Sequence, residues 1–97
     1  MLSYSTQLID DDDIKVVIDV LKSDFLAQGP KVKEFEEDLC KYTGAKHAIV
    51  FNSATSALSA SYNIAGINEG DKVITTPISF VATSNMFVDL GAIPIWC

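Results

Sequence analysis

Lys46-His47-Ala48-Ile49-Val50-Phe51-Asn52-Ser53-Ala54-Thr55-Ser56-Ala57-Leu58 is the stretch on which the fold class turns. His47 to Phe51 is a short apolar run of strand type with no room for a helical period. From Ser53 to Ala65 the pattern is helical and its apolar positions (Ala54, Ala57, Leu58, Ala60, Tyr62 and Ala65) are mostly small, so the helix can lie close on a sheet. Gly66 ends it, and Asn68-Glu69-Gly70-Asp71 is a turn. Lys72-Val73-Ile74-Thr75-Thr76 reads as a second strand closed by Pro77. A helix around Val81 to Leu90 stops at Gly91, and Ile93-Pro94-Ile95-Trp96 begins a third strand. Strand, helix, strand, helix, strand predicts parallel βαβ units with right-handed crossovers, hence an α/β class. Three strands make an unfinished parallel sheet, so the chain is expected to be a piece of a larger domain.

Upstream, the sequence predicts two leading helices. Asp10-Asp11-Asp12-Asp13 precedes Ile14, Val17, Ile18, Leu21 and Phe25, which repeat at helical spacing. Carboxylates at that place sit at the positive end of the helix dipole and cap free N–H groups. That reading outweighs calcium binding, because an EF-hand loop needs alternating ligands and a central glycine. Leu26-Ala27-Gln28-Gly29-Pro30 breaks the pattern, and Pro30 opens a helix to about Tyr42 with Val32, Phe35, Leu39 and Tyr42 on its apolar stripe. Gly44 is its stop, and Cys40 is expected to be a small buried filler. The expected division is a helical segment over 1–45 and the first part of an α/β domain over 46–97.

Composition narrows function. The chain has 97 residues, a formal charge of −6 and 48% apolar residues, which describes a folded chain and not an acidic disordered tail. All seven cationic side chains are Lys, dispersed along the sequence, so the footprint of a nucleic-acid surface is missing. The N-terminus has neither the basic nor the apolar region of a signal peptide, and no apolar run reaches the roughly 20 residues of a membrane span. A cytoplasmic protein without a membrane segment is expected. Cys40 and Cys97 form no C-x-x-C pair, so free thiols and no metal site are expected.

The turn from Phe51 into the second half's first helix is where chemistry is expected. Free N–H groups at a helix start point outward, the hydroxyls of Ser53, Thr55 and Ser56 can add donors, and Ala54 lets a phosphate approach. In open α/β sheets ligands bind outside the carboxyl ends of strands, where this turn falls. A plain Asn or Ser cap explains the local pattern equally well. Neither G-x-x-x-x-G-K-[ST] nor G-x-G-x-x-G occurs, so nucleotide hydrolysis and dinucleotide chemistry lack their fingerprints, and one small phosphate fits better. Phe80 also follows a strand, and a core role or a face for an aromatic ligand are both open to it. His47 sits at the start of the first expected strand, away from that edge, and reads as structural. A stand-alone phosphate-binding or interaction module of α/β class is the alternative to an enzyme. An acyl carrier protein is excluded by the alternation of strands with helices and by the lack of an Asp-Ser-Leu triplet.

Asn52-Ser53-Ala54-Thr55-Ser56-Ala57-Leu58, Thr75-Thr76-Pro77-Ile78-Ser79-Phe80-Val81-Ala82-Thr83 and Gln28-Gly29-Pro30-Lys31-Val32 with Phe35-Glu36 together resemble the N-terminal part of the DegT/DnrJ/EryC1/StrS sugar-nucleotide aminotransferases. The similarity covers essentially the whole chain and is strongest toward the UDP-sugar 4-aminotransferases of pseudaminic acid synthesis. It implies an aspartate-aminotransferase-like fold (fold type I), pyridoxal 5′-phosphate (PLP) as cofactor, a UDP-linked 4-keto deoxysugar and glutamate as substrates, and a homodimer. By this resemblance Ser53, Ala54 and Thr55 hold the cofactor phosphate and Phe80 stacks on its ring. Tyr4, Asp24, Phe25, Leu26 and Ala27 lie near the nucleotide-sugar. Ala27 stands where a threonine is common, which removes one hydroxyl. The lysine that carries the cofactor and the acidic partner of its ring nitrogen come further downstream in the family. Lys15, Lys22, Lys31, Lys33, Lys41, Lys46 and Lys72 match none of the family's lysine positions, so no catalytic residue is assigned and the chain alone is expected to be inactive.

Overall fold

The computed structural model describes residues 5–97, so Tyr4 lies outside the described residues. Contacts divide the chain into two compact units, Met1–Ile49 and Val50–Cys97.

In the first unit, helix α1 spans Asp11–Leu21 and helix α2 spans Pro30–Thr43. Asp10 caps α1. Its carboxylate accepts the N–H groups of Asp12 at 3.0 Å and Asp13 at 3.1 Å. The Asp13 carboxylate in turn accepts the N–H of Asp10 at 3.2 Å, closing a capping box. The acidic run is therefore the start of a helix, with Asp11, Asp12 and Asp13 in its first turn. The helix ends earlier than its apolar spacing predicts. The Ser23 hydroxyl donates to the Val20 carbonyl at 2.8 Å and its N–H reaches the same carbonyl at 3.0 Å, so the carbonyls that would carry the helix onward are satisfied locally. Phe25 consequently falls in the following loop and not on the stripe of α1. Helix α2 has Gly29 as N-cap, Pro30 at its first position and Gly44 at φ +75° at its end. Gly44 donates to the Cys40 carbonyl at 2.9 Å, a left-handed stop that other residues adopt only with strain. Cys40 is half-buried and Cys97 exposed; both are free thiols.

In the second unit, helix α3 spans Ala54–Ile64, strand β1 Lys72–Thr75, helix α4 Ala82–Val88 and strand β2 Ile93–Trp96. The strands are parallel, with Lys72 opposite Ile93 and Thr75 opposite Trp96. The ladder continues at both ends: Ile93 donates to the Asp71 carbonyl at 2.7 Å and Cys97 to the Thr75 carbonyl at 3.0 Å. The turn before β1 is held by the Asp71 carboxylate, which accepts the Asn68 N–H at 2.8 Å.

The expected first strand, His47 to Phe51, is not part of this sheet, which has two strands among the described residues. An apolar run specifies a surface to bury but not the neighbour that supplies the ladder, and strand preference depends on that neighbour. Here β1 and β2 pair with each other, and the division between the units falls within the run, after Ile49.

The core of the second unit is small. Phe87 is wholly enclosed, with Ala82 and Ala92 the other buried apolar residues. The rings of Phe87 and Tyr62 meet edge to face, with centroids 5.6 Å apart and planes at 77°. Burying a phenylalanine contributes about 1.5–3 kcal/mol, so this side chain dominates the packing of α4 on α3.

Candidate functional site

Helix α3 presents an open N-terminus. Ser53 lies in extended backbone at φ −157° and its hydroxyl accepts the Ser56 N–H at 3.1 Å. The Ser56 hydroxyl lies 3.0 Å from that of Ser53 and donates to the Asn52 side-chain oxygen at 2.9 Å. One of the first N–H groups is thus used by the cap, while among the described residues those of Ala54 and Thr55 make no hydrogen bond. No acidic residue occupies this first turn. Helix α1 is the opposite case, since its own carboxylates already occupy its positive end. The start of α3 therefore combines two free donors, a Thr55 hydroxyl and the positive end of a helix whose first turn carries no carboxylate, which suits a phosphate monoester.

Phe80 stands just ahead of α4 and is 74% exposed. Its carbonyl accepts the Thr83 N–H at 3.0 Å, which fixes its backbone at the entry to that helix, and its ring has no aromatic neighbour among the described residues. The ring is free to meet a ligand and does not serve as core; Phe87 does that. No described hydrogen bond or ring contact joins Phe80 to Ser53, Ala54 or Thr55. What they share is position at helix starts: Ser53 caps α3, Ala54 and Thr55 open it, and Phe80 lies two residues ahead of α4, and these two helices pack on each other through Tyr62, Thr83 and Phe87.

Asp24, Phe25, Leu26 and Ala27 belong to the first unit, in the loop between α1 and α2, and all are exposed. Phe25 and Leu26, with Val20, Pro30 and Val32, line a mainly apolar cavity of about 260 Å³. Asp24 and Ala27 do not line it. His47 and Cys40 border a separate, more open depression together with Lys33 and Glu36. Lys31, which also lines the first cavity, pairs with Glu34. The hydrogen bond to Glu34, then its negative charge, raises the Lys31 pKa.

Two features escaped sequence reasoning. One is the bond from the Tyr62 hydroxyl to the Thr83 carbonyl at 2.9 Å, for which the sequence carries no signal. The other is the left-handed backbone of Gln28, φ +54°, for which the adjoining Gly29-Pro30 turn was the available hint.

Residues 7–97 match the family model described as the DegT/DnrJ/EryC1/StrS aminotransferase family. The chain belongs to that family. The UDP-4-amino-4,6-dideoxy-N-acetyl-beta-L-altrosamine transaminase of Campylobacter jejuni is 51% identical over 92 residues, which are 95% of this chain and 24% of that protein. Among solved structures, Helicobacter pylori PseC, an aminotransferase involved in the biosynthesis of pseudoaminic acid, superposes with a TM-score of 0.90 at 47% identity. That match covers 98% of this chain and 26% of PseC. A Streptococcus pneumoniae protein described as a sugar aminotransferase, in its PLP form, has a TM-score of 0.88 at 32% identity over 98% of this chain and 24% of its own. The chain spans about a quarter of the length of the curated relatives it matches. Its α/β architecture is that of the corresponding quarter of these fold type I aminotransferases. No helix among the described residues is long and apolar enough to cross a membrane.

Proposed function

We propose that this chain supplies the N-terminal quarter of a PLP-dependent sugar-nucleotide aminotransferase. The enzyme moves an amino group, from glutamate, to the 4-keto carbon of a UDP-linked deoxysugar in the synthesis of a bacterial surface glycan of the nonulosonic acid type. The observation that carries the reading is the start of α3. Ser53 caps the helix and leaves the Ala54 and Thr55 N–H groups free in a turn without carboxylates, in a chain that matches the family over residues 7–97. Residues 46–97 are the first part of the cofactor-binding domain in this reading, and 1–45 its leading helical segment.

Bound PLP supplies the electron sink that amino transfer requires. The residues of this chain bind and orient. Ala54 and Thr55 would donate backbone hydrogen bonds to the phosphate and the Thr55 hydroxyl would add to them; the Ser53 hydroxyl would join them by turning its proton from the Ser56 oxygen, and Phe80 would cover one face of the ring. Asp24, Phe25, Leu26 and Ala27, with Tyr4, border the nucleotide-sugar. The lysine and the acid that complete the chemistry lie on the remainder of the polypeptide. The working form is a cytoplasmic homodimer.

The test is direct. The complete protein, loaded with PLP and given a UDP-linked 4-keto-6-deoxysugar and glutamate, is expected to yield 2-oxoglutarate and the 4-amino sugar in equal amounts. Absence of both products, with the cofactor bound, overturns the reading.

A further inference from the structure

The loop from Ser23 to Gly29 is shaped by backbone features that act on one residue, Phe25. Gly29 approaches it so closely that a Cβ on Gly29 would lie 2.8 Å from the Phe25 carbonyl oxygen and 3.3 Å from the Phe25 Cβ. The first distance is shorter than real contacts allow, and the obstacle is backbone, which cannot swing aside as a side-chain tip would. Ser23 also contacts the Phe25 backbone. Its hydroxyl is 3.3 Å from the Phe25 carbonyl, accepts the Phe25 N–H at 3.4 Å and donates to the Val20 carbonyl at 2.8 Å. Gln28, at φ +54°, makes the reversal that brings Gly29 back over Phe25. Phe25 and Leu26 line the 260 Å³ cavity together with Ser23 and Gly29 themselves and with Val20, Pro30 and Val32.

We propose that Gly29 is a positioning residue for the nucleotide-sugar: its missing side chain lets Phe25 settle against it, and this sets Phe25 and Leu26 as the wall that receives the substrate. The inference rests on the sugar-nucleotide aminotransferase reading. It assigns control over the shape of the expected substrate segment to a residue outside that segment that borders the same cavity.

In the complete PLP-loaded protein, Gly29→Ala displaces Phe25 and is expected to raise the KM for the UDP-linked keto sugar about tenfold. The KM for glutamate and kcat stay within about twofold, because uniform substrate binding and not the reacting centre is altered. The Kd of the aminated UDP-sugar product, read by calorimetry, rises in parallel. Ser23→Ala loosens the same residue without steric insult and moves KM and Kd in the same direction by about threefold. Unchanged sugar KM and Kd in Gly29→Ala overturn the proposal. So does an equal loss in kcat and both KM values, which marks a purely structural role. If Gly29→Ala does not fold, Ser23→Ala decides by the same measurements. A wild-type protein that neither turns over nor binds the UDP-sugar brings down the aminotransferase reading and this inference with it. An active wild type with unaltered variants brings down the inference alone.

Discussion

Tyr62 donates its hydroxyl to the backbone carbonyl of Thr83 at 2.9 Å, 21 positions further along the chain. The bond ties the third turn of α3 to the first turn of α4, and the Tyr62 ring lies edge-on to the buried Phe87. One side chain thus supplies both a polar and an apolar link between α3, which opens with Ala54 and Thr55, and α4, which follows Phe80.

Tyr62→Phe keeps the ring contact and leaves the half-buried Thr83 carbonyl short of its donor. A loss of about 0.5–1.5 kcal/mol is expected, read as a lower urea midpoint with an unchanged slope. Phe87→Ala removes the one wholly enclosed large side chain among the described residues and is expected to cost about 3–5 kcal/mol. An equal effect of the two variants would contradict this division between hydrogen bond and core.

At the start of α1, Asp10→Ala removes the acceptor for the Asp12 and Asp13 N–H groups. Hydrogen exchange at those two amides is expected to accelerate, with a stability loss of about 0.5–2 kcal/mol. Asp10→Asn retains the acceptor and should keep most of the protection.

The cofactor role of α3 predicts a specific defect. In the complete protein, Thr55→Val keeps the shape and removes one hydroxyl donor to the phosphate, which should weaken PLP binding about tenfold. Equilibrium dialysis measures this, and unaltered PLP affinity would remove Thr55 from the site.

Two lysines give α2 an alkaline limit. The hydrogen bond and then the charge of Glu34 raise the pKa of Lys31, and Asp38 acts in the same order on Lys41. Both groups rise above their ordinary value of 10.5, so their contribution is fully present below that pH and is lost as pH climbs through the raised values of the folded chain. Helix content followed by circular dichroism should hold steady up to about pH 10 and decline beyond it. Both pairs are exposed, so the decline should be shallow and should shrink with added salt.

The 97-residue chain supplied with PLP, UDP-linked keto sugar and glutamate should produce no 2-oxoglutarate, because none of its lysines matches the family's cofactor-carrying position. Turnover by the chain alone would place a catalytic lysine among the seven present.

Much of the architecture was legible because its signals are short in range. Asp10, Gly29-Pro30, Gly44, Ser53 and Gly66 mark helix boundaries through contacts with residues at most five positions away. The phosphate-ready turn belongs to the same class: Ser53 and Ser56 are three residues apart, so sequence order already places them together. Phe80 was ambiguous for the opposite reason. Whether a phenylalanine becomes core or ligand face depends on what else fills the core, and Phe87, seven residues on, fills it. The extension of α1 to Phe25 failed for a local reason that periodicity does not register, namely that Ser23 takes the Val20 carbonyl.

By itself the sequence determined the family, the α/β alternation and the place of the open helix start, since caps, turns and motifs are written in neighbouring residues. The tertiary structure decided which apolar runs become paired strands, which aromatic is enclosed, and how closely Gly29 lies against Phe25. Those outcomes depend on partners and on steric exclusion in three dimensions, and the energy of a ladder, a packed ring or an approach too close for a Cβ exists only once both sides are present.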